Sequence, residues 1–391
     1  MGMRARNKKL FAEIESAYNT EATVAADDAI KTSGLSITRY AGERVSQAYD
    51  RPGMGNDRQI NVNEHAGLGE FMVPMVGSGD WETAPAWGKL LRACAMAQTD
   101  NTAADDTGTA TAGTSTTLTD SGATWTVDEY AGFAVVITAG TGVGQARRVT
   151  ANTATELTVT PAWATTPDAT SEYSITLGTF DYTPVDSGFE SLTCIVTEEL
   201  VQQKMVGVRG NWGIRANPGE LPVFMFSNFL GSYNRPVALA LTDPDDSAFG
   251  DAIPVTYSNT TVLTIAGVQH PVGGFTLDGG NTITRLNQPG RQETMVEDRR
   301  PSGTIIVSPA TADAIIALLG SIETHDGATD VAIAMTHGDT PGGIIKVAIP
   351  AASFGEVSDQ VIGGETYFSL PFNILTPDSG AALTVSQAAA A

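Results

Sequence analysis

Basic residues, cysteine, histidine and long apolar runs are all scarce in this chain. Lys and Arg number 22 against 44 Asp and Glu, which gives a formal charge of −22 over 391 residues. An acidic surface repels phosphate, so tight nucleic-acid binding in a basic groove is excluded. The same charge suits a wall that a polyanion must slide past, and it also serves general solubility. The 2 cysteines, Cys94 and Cys194, lie at no metal-ligand or redox spacing. Cys94 falls on the apolar face of a predicted helix and Cys194 within the run Leu192-Thr193-Cys194-Ile195-Val196, so both read as small buried hydrophobes rather than as a disulfide. The 4 histidines are scattered, and Glu64-His65 with Glu70 reads as surface rather than as a metal site. No apolar run approaches the roughly 20 residues that cross a bilayer. No apolar core follows the basic start Arg4, Arg6, Lys8 and Lys9, so the expectation is synthesis and assembly in a cytoplasm, with no membrane partner.

What the chain does contain is Thr, Val and Gly in abundance, the composition of a soluble β-rich protein with room for two or three domains. The cluster Asp243, Asp245, Asp246 and Asp251 lacks the glycine and terminal glutamate of a calcium loop and reads as a solvated linker. Gly140-Thr141-Gly142-Val143-Gly144 lacks the Gly-Lys-Ser/Thr ending of a phosphate loop and joins two strand-like runs, so it reads as a hairpin. There is no Gly-x-Ser-x-Gly elbow. No catalytic, cofactor-binding or metal residue is nominated, and the expectation is a protein that is not an enzyme and carries no cofactor.

The chain repeats itself. Gly34-Leu35-Ser36-Ile37-Thr38 and Gly274-Phe275-Thr276-Leu277-Asp278 each open a strand that leads into a polar, Arg-containing segment. Each then reaches a second β-like run, Ile60-Asn61-Val62 or Ile305-Ile306-Val307, and a helix candidate, Ala86–Met96 or Thr311–Leu319. Trp212-Gly213-Ile214 before Pro222–Phe226 is echoed by Phe354-Gly355-Glu356 before Tyr367–Leu370, and Trp212 and Phe354 read as core anchors. Two related β units suggest pseudo-symmetric assembly rather than a lone catalytic site.

Composition divides the chain further. Residues 1–33 form an N-terminal arm, polar and partly helical, with Leu10, Phe11 and Ile14 at helical spacing; it either docks on a neighbour or frays. Residues 34–98 and 178–235 make the first unit, closing with a strand pair, a helix and an aromatic strand between Ser191 and Leu230. Residues 99–177 are rich in Thr, Ala and Gly, with Arg147 and Arg148 the only basic residues, and are an inserted, outward-facing all-β domain. Residues 236–249 form a linker, 250–376 the second unit, and 377–391 a flexible tail. The stretch Asp50–Asp57 is too rich in Gly and Pro for a strand interior and marks the tip of a long hairpin arm.

This order of strand, long hairpin arm, packed helix and aromatic strand resembles the tail tube (major tail) proteins of long-tailed bacteriophages. The stretches most similar to that family are Lys9–Tyr18 and Gly210–Gly219. The insert, with Leu118–Trp125 and Gly142–Arg148, is similar to small β modules of phage structural proteins. The resemblance implies a mainly β fold of two related β-sandwich or barrel-like tube domains, each with a packed helix, plus the inserted all-β domain. It implies self-assembly into stacked rings that conduct double-stranded DNA without binding it specifically. A trimer with pseudo-six-fold symmetry is the preferred ring and a hexamer the alternative. Other tail proteins, such as the tape measure and the terminator, would be partners, and the place would be the virion tail. Arg51, Met54, Asp57 and Phe11, on the arm and the N-terminal segment, are the candidate inter-ring contacts. The alternative is a cell-surface or carbohydrate-binding decoration protein, motivated by Trp125, Tyr130 and Trp163 as exposed aromatics. A β-rich glycosidase or lyase would need a pair of carboxylates, and no pair is nominated.

Overall fold

The computed structural model describes residues 7–50, 54–241, 243–256, 260–308, 311–323, 330–376 and 380–390. The fold is mainly β, as the β-branched composition predicts. It opens with β1 (Lys8–Ile14) and the short β2 (Ala29–Ile30). Next, β3 (Ile37–Ala41) runs out into a hairpin arm, β4 (Arg44–Gln47) and β5 (Arg58–Asn61), and β6 (His65–Leu68) returns to pair with β3. After β7 (Phe71–Pro74), helix α1 (Gly88–Arg92) and β8 (Met96–Asn101), the chain enters the insert. The helix is shorter than the predicted Ala86–Met96, because the backbone turns at Ala95 with a left-handed φ of 61° and β8 begins at once.

The insert holds β9 (Asp106–Thr109), β10 (Ala112–Gly113), β11 (Thr117–Thr119), β12 (Ala134–Ala139), β13 (Ala146–Asn152), β14 (Glu156–Thr160) and β15 (Glu172–Thr176). They make a separate sheet in the order β10-β11-β14-β13-β12-β15-β9. The loop Gly140–Gly144 turns between β12 and β13, with Gly144 N–H donating to Ile137 O at 2.9 Å. Asn101 stands opposite Thr179 across β8 and β16 (Thr179–Pro184), so the insert leaves and re-enters at the end of one host hairpin. That geometry leaves the host core undisturbed.

The first unit continues with β17 (Leu192–Glu198), β18 (Val201–Ala216), β19 (Val223–Tyr233) and β20 (Val237–Ala238). The expected strands are there, and the stretch between them for which the sequence suggested a helix is strand as well. β20 lies in the predicted linker and pairs with Val201 and Gln202. The second unit follows with β21 (Thr260–Ile265), β22 (Val268–Gln269), β23 (Val272–Asp278), a second arm of β24 (Asn281–Gln288) and β25 (Arg291–Arg299), and β26 (Ser302–Val307). Helix α2 (Ala312–Ile322) is capped by the Thr311 hydroxyl, which accepts from Ala314 N–H at 3.2 Å. Last come β27 (Val331–His337), β28 (Ile344–Phe354), β29 (Ser358–Ile362), β30 (Glu365–Ile374) and β31 (Thr384–Ala388).

The two units repeat an arrangement of strand, arm and strand. β3 and β6 flank the first arm as β23 and β26 flank the second. The counterpart of β26 is therefore β6, with Leu68 at the place of Ile305, and not Ile60–Val62, which belongs to the arm. β18 changes partners along its length, pairing with β17 at its start and with β23 at its end. Gly207, with a φ of 66°, sits in the irregular stretch between Val206 and Arg209 where the ladder with β19 slips. β28 behaves alike, pairing with β27 and β31 and then, at Ala352–Phe354, with β30. Trp212 stands opposite Phe226 and is buried, whereas Phe354, opposite Phe372, is half-buried.

The described residues of both predicted loose ends belong to the folded body. β1 is a strand between β17 and β2, not a partly helical arm. The buried Glu15 carboxylate fixes the chain just beyond it, accepting from Ser191 Oγ (2.6 Å), Thr193 Oγ1 (3.0 Å), Gly207 N (2.8 Å) and Asn19 N (2.8 Å). The predicted flexible tail contains β31, which pairs with β16 of the first unit and β28 of the second. Gln387, fully buried, accepts from Ser78 N at 2.8 Å and donates to Asp80 O at 3.1 Å and Thr83 O at 2.8 Å. An Ala-rich end has little to bury by itself, and this one is ordered by two neighbouring strands with open edges.

Candidate assembly surfaces

Residue ladders join the units into one continuous sheet, β29-β30-β26-β23-β18-β19-β6/β7-β3. Its middle is the junction between units, where β23 lies antiparallel on β18: Gly213 opposite Asp278, Ile214 opposite Leu277, Arg215 opposite Thr276 and Ala216 opposite Phe275. Gly213 is required there, since a Cβ would stand 2.6 Å from Leu277 O. A buried amide network extends the junction. Asn211 Nδ2 donates to Asp278 Oδ1 at 2.8 Å and Asn211 Oδ1 accepts from Asn281 N at 2.9 Å, while Asn281 Nδ2 donates to Cys94 O at 2.8 Å. These buried donors hold one register, because a slip would strand them unpaired; Asn281 Oδ1 is itself buried without a hydrogen-bond partner.

The ends of this sheet differ from its middle. At one end β29 pairs with β30, and at the other β3 pairs with β6; among the described residues the ladders give neither strand a second partner. Every residue of β29 is exposed, with Val361 at 72% and Ile362 at 37%. On β3, Tyr40 is 47% exposed, its ring edge-on to Tyr233 at 4.9 Å. An uncovered strand edge with apolar residues is a ready template for pairing with another chain.

The arms project from the same sheet. On the first, Val45 and Ile60 are cross-strand partners at 53% and 41% exposure, and Tyr49 and Met54 lie toward the tip, Met54 fully exposed. Asp57 is half-buried, and Arg51 lies outside the described residues. Phe11, the fourth candidate contact, is completely buried. It packs with Ala29 and Ile195 beneath β1, so it has no surface to offer a neighbouring ring. Its apolar bulk sits inward because β1 is covered on both sides.

The second arm is held down on the first unit. Arg209, almost fully buried, donates to Glu293 Oε1 at 2.9 Å, Thr294 O at 2.8 Å, Phe189 O at 2.7 Å and Glu190 O at 3.0 Å, and its guanidinium lies 4.6 Å from the Tyr18 ring centre. Burial opposes the charge on Glu293, but hydrogen bonds and charge from Arg291 and Arg209 together hold its carboxyl below the usual range. Tyr18 Oη accepts from Thr294 N at 2.5 Å, and Arg285 Nη1 donates to Thr294 Oγ1 at 3.0 Å.

The remaining chemistry-bearing groups assemble no reactive constellation among the described residues. His65 places Nδ1 3.0 Å from Asn63 O. His337 is buried beside a cavity of about 290 Å³ lined by Met75, Val76, Gly77 and Gly250, and burial holds its imidazole below the ordinary value. Cys94 and Cys194 are both buried free thiols, pushed up by desolvation. Trp125, Tyr130 and Trp163, expected as exposed aromatics, lie in the insert's own core with Val135, Val149 and Leu157. Trp125 Nε1 donates to Asp106 Oδ2 at 2.5 Å, which satisfies its polar edge inside the module. No protein-family model matches the chain, and no curated protein matches it.

Proposed function

We propose that this chain is a structural virion protein that assembles into stacked rings, the tail tube through which a long-tailed bacteriophage passes its DNA. The observation that carries the reading is the edge-to-edge joining of two strand–arm–strand units into one sheet that ends in an open edge on each side. Such a chain is built to continue. A head-to-tail contact that closes on itself gives a ring, and chains of two units close as a trimer with pseudo-six-fold symmetry. Each unit then acts as a sandwich- or barrel-like tube domain. The arm around Met54 and Asp57 supplies the contacts between stacked rings. A net charge of −22 keeps the wall from holding DNA phosphates. The insert hangs from one hairpin end as a module with its own core, outside the ring wall.

Negative-stain electron microscopy of the purified chain tests this reading. Tubes or stacked rings with a central hole and peripheral knobs are the expected result, and averaging separates three-fold from six-fold symmetry. Monodisperse monomers at every concentration, with or without pre-formed tail tips as initiators, count against it.

A further inference from the structure

We infer that the cavity beside His337 is a binding site for a short aliphatic diamine, taken up between the two units. The inference stands whether or not the chain forms rings. Three segments wall the cavity: residues 75–79, which follow β7, residues 250–253, which lead into the second unit, and residues 337–343, which turn from β27 to β28. Backbone contacts tie these walls to one another. Gly250 N donates to Gly77 O at 3.1 Å and Gly79 N to Gly342 O at 3.3 Å. A Cβ on Gly77 would collide with Gly342 O, so the walls meet where only glycine fits. The cavity is thus built into the fold before any ligand arrives.

Its lining selects the ligand. His337 is 2% exposed, and neither ring nitrogen has a hydrogen-bond partner among the described residues. The Ile253 backbone stands near the ring without hydrogen-bond geometry. Burial outweighs the pull of that backbone and of the Asp339 charge, so the imidazole is neutral and keeps a free acceptor nitrogen. Asp251 and Asp339 line the same cavity but are exposed, which places the carboxylates toward solvent and the imidazole inside. Met75, Val76 and Ile253 add apolar wall. Among the described residues no three His, Cys, Asp or Glu side chains converge as metal ligands, so a bare ion does not bridge the inner and outer groups. A chain with a nitrogen at each end does. One amine donates to the imidazole, the methylenes lie on the apolar wall, and the outer ammonium meets the carboxylates. The cavity of about 290 Å³ suits a ligand at the small end of the range, which begins at roughly 300 Å³.

The test uses the full chain and putrescine in physiological salt, which screens loose attraction to a protein of charge −22. A ligand that touches both units should give a saturable rise in melting temperature. Proton NMR should show one of the 4 histidine ring signals moving over the same concentrations. Butylamine, as long but with a single nitrogen, should bind about tenfold more weakly. The double variant Asp251→Asn with Asp339→Asn should weaken putrescine by about as much, and its exposed positions leave the core intact. His337→Phe should weaken it too and remove the moving ring signal. Equal shifts with putrescine, butylamine and magnesium, or an unchanged putrescine shift in the double variant, mean general charge screening and overturn the site. A melting temperature and ring signals that never respond mean a cavity that takes up water only, and overturn it as well.

Discussion

The two hairpin arms leave equivalent places in the sheet and meet different surroundings. β24–β25 is folded onto the first unit, fastened by a buried arginine and a tyrosine hydroxyl. β4–β5 is exposed along most of its length, with an apolar cross-strand pair facing outward. The sequences of the arms do not account for this, since both are polar and carry arginine. The difference lies in what stands beside them: the second unit has the first as its neighbour, and the first unit has an open edge. A fold that covers one copy of a device and leaves the other uncovered shows where its own repetition stops.

The largest break in the comparison comes from Arg209. Replacing it with Ala leaves Glu293 and three backbone carbonyls without their buried donor, at a cost of about 3–5 kcal/mol. Urea denaturation reads the loss, and limited proteolysis should show the second arm becoming as cleavable as the first. Gly213→Ala should cost roughly 1–3 kcal/mol, because its methyl would press on Leu277 O and the junction must open to admit it. Scanning calorimetry should show this as a lowered midpoint, and a variant as stable as the parent would mean the junction is looser than described.

Acid should separate the arms with a smaller effect. Glu293 has a lowered folded-state pKa, so its contribution is present above the ordinary glutamate pKa and is lost as pH falls through the depressed value. Hydrogen exchange measured at falling pH should show the second arm losing protection in that acid window ahead of the sheet beneath it. The smallest effect on stability is expected from Val45→Ser and Ile60→Ser, within about 0.5 kcal/mol for the isolated chain. The same variants should weaken multimer formation in sedimentation velocity; unchanged association would remove the first arm from the interface.

Several of these features were legible in the residues alone. The insert announced itself through a change in composition, and β12 and β14 through short runs rich in β-branched residues between turn residues, because strand and turn preferences are local. The arm tip was marked by Gly and Pro around Met54. What misled was spacing read without partners. Leu10, Phe11 and Ile14 fit a helical period, yet they lie on a strand because β17 offers seven residues of matching ladder nearly two hundred positions away. Trp125, Tyr130 and Trp163 looked like surface platforms because single residues carry no record of what encloses them.

By itself the sequence determined the β class, the presence of an inserted module and the recurrence of strand, arm and strand, since each is set by composition and short-range pattern. Only the tertiary structure decided that the Ala-rich end clasps both units, that Phe11 is interior, and that β18 and β23 join while β3 and β29 each have one ladder partner among the described residues. Strand pairing is satisfied by backbone groups common to every residue, so its partners are chosen by geometry across the whole chain and leave little trace in any one segment.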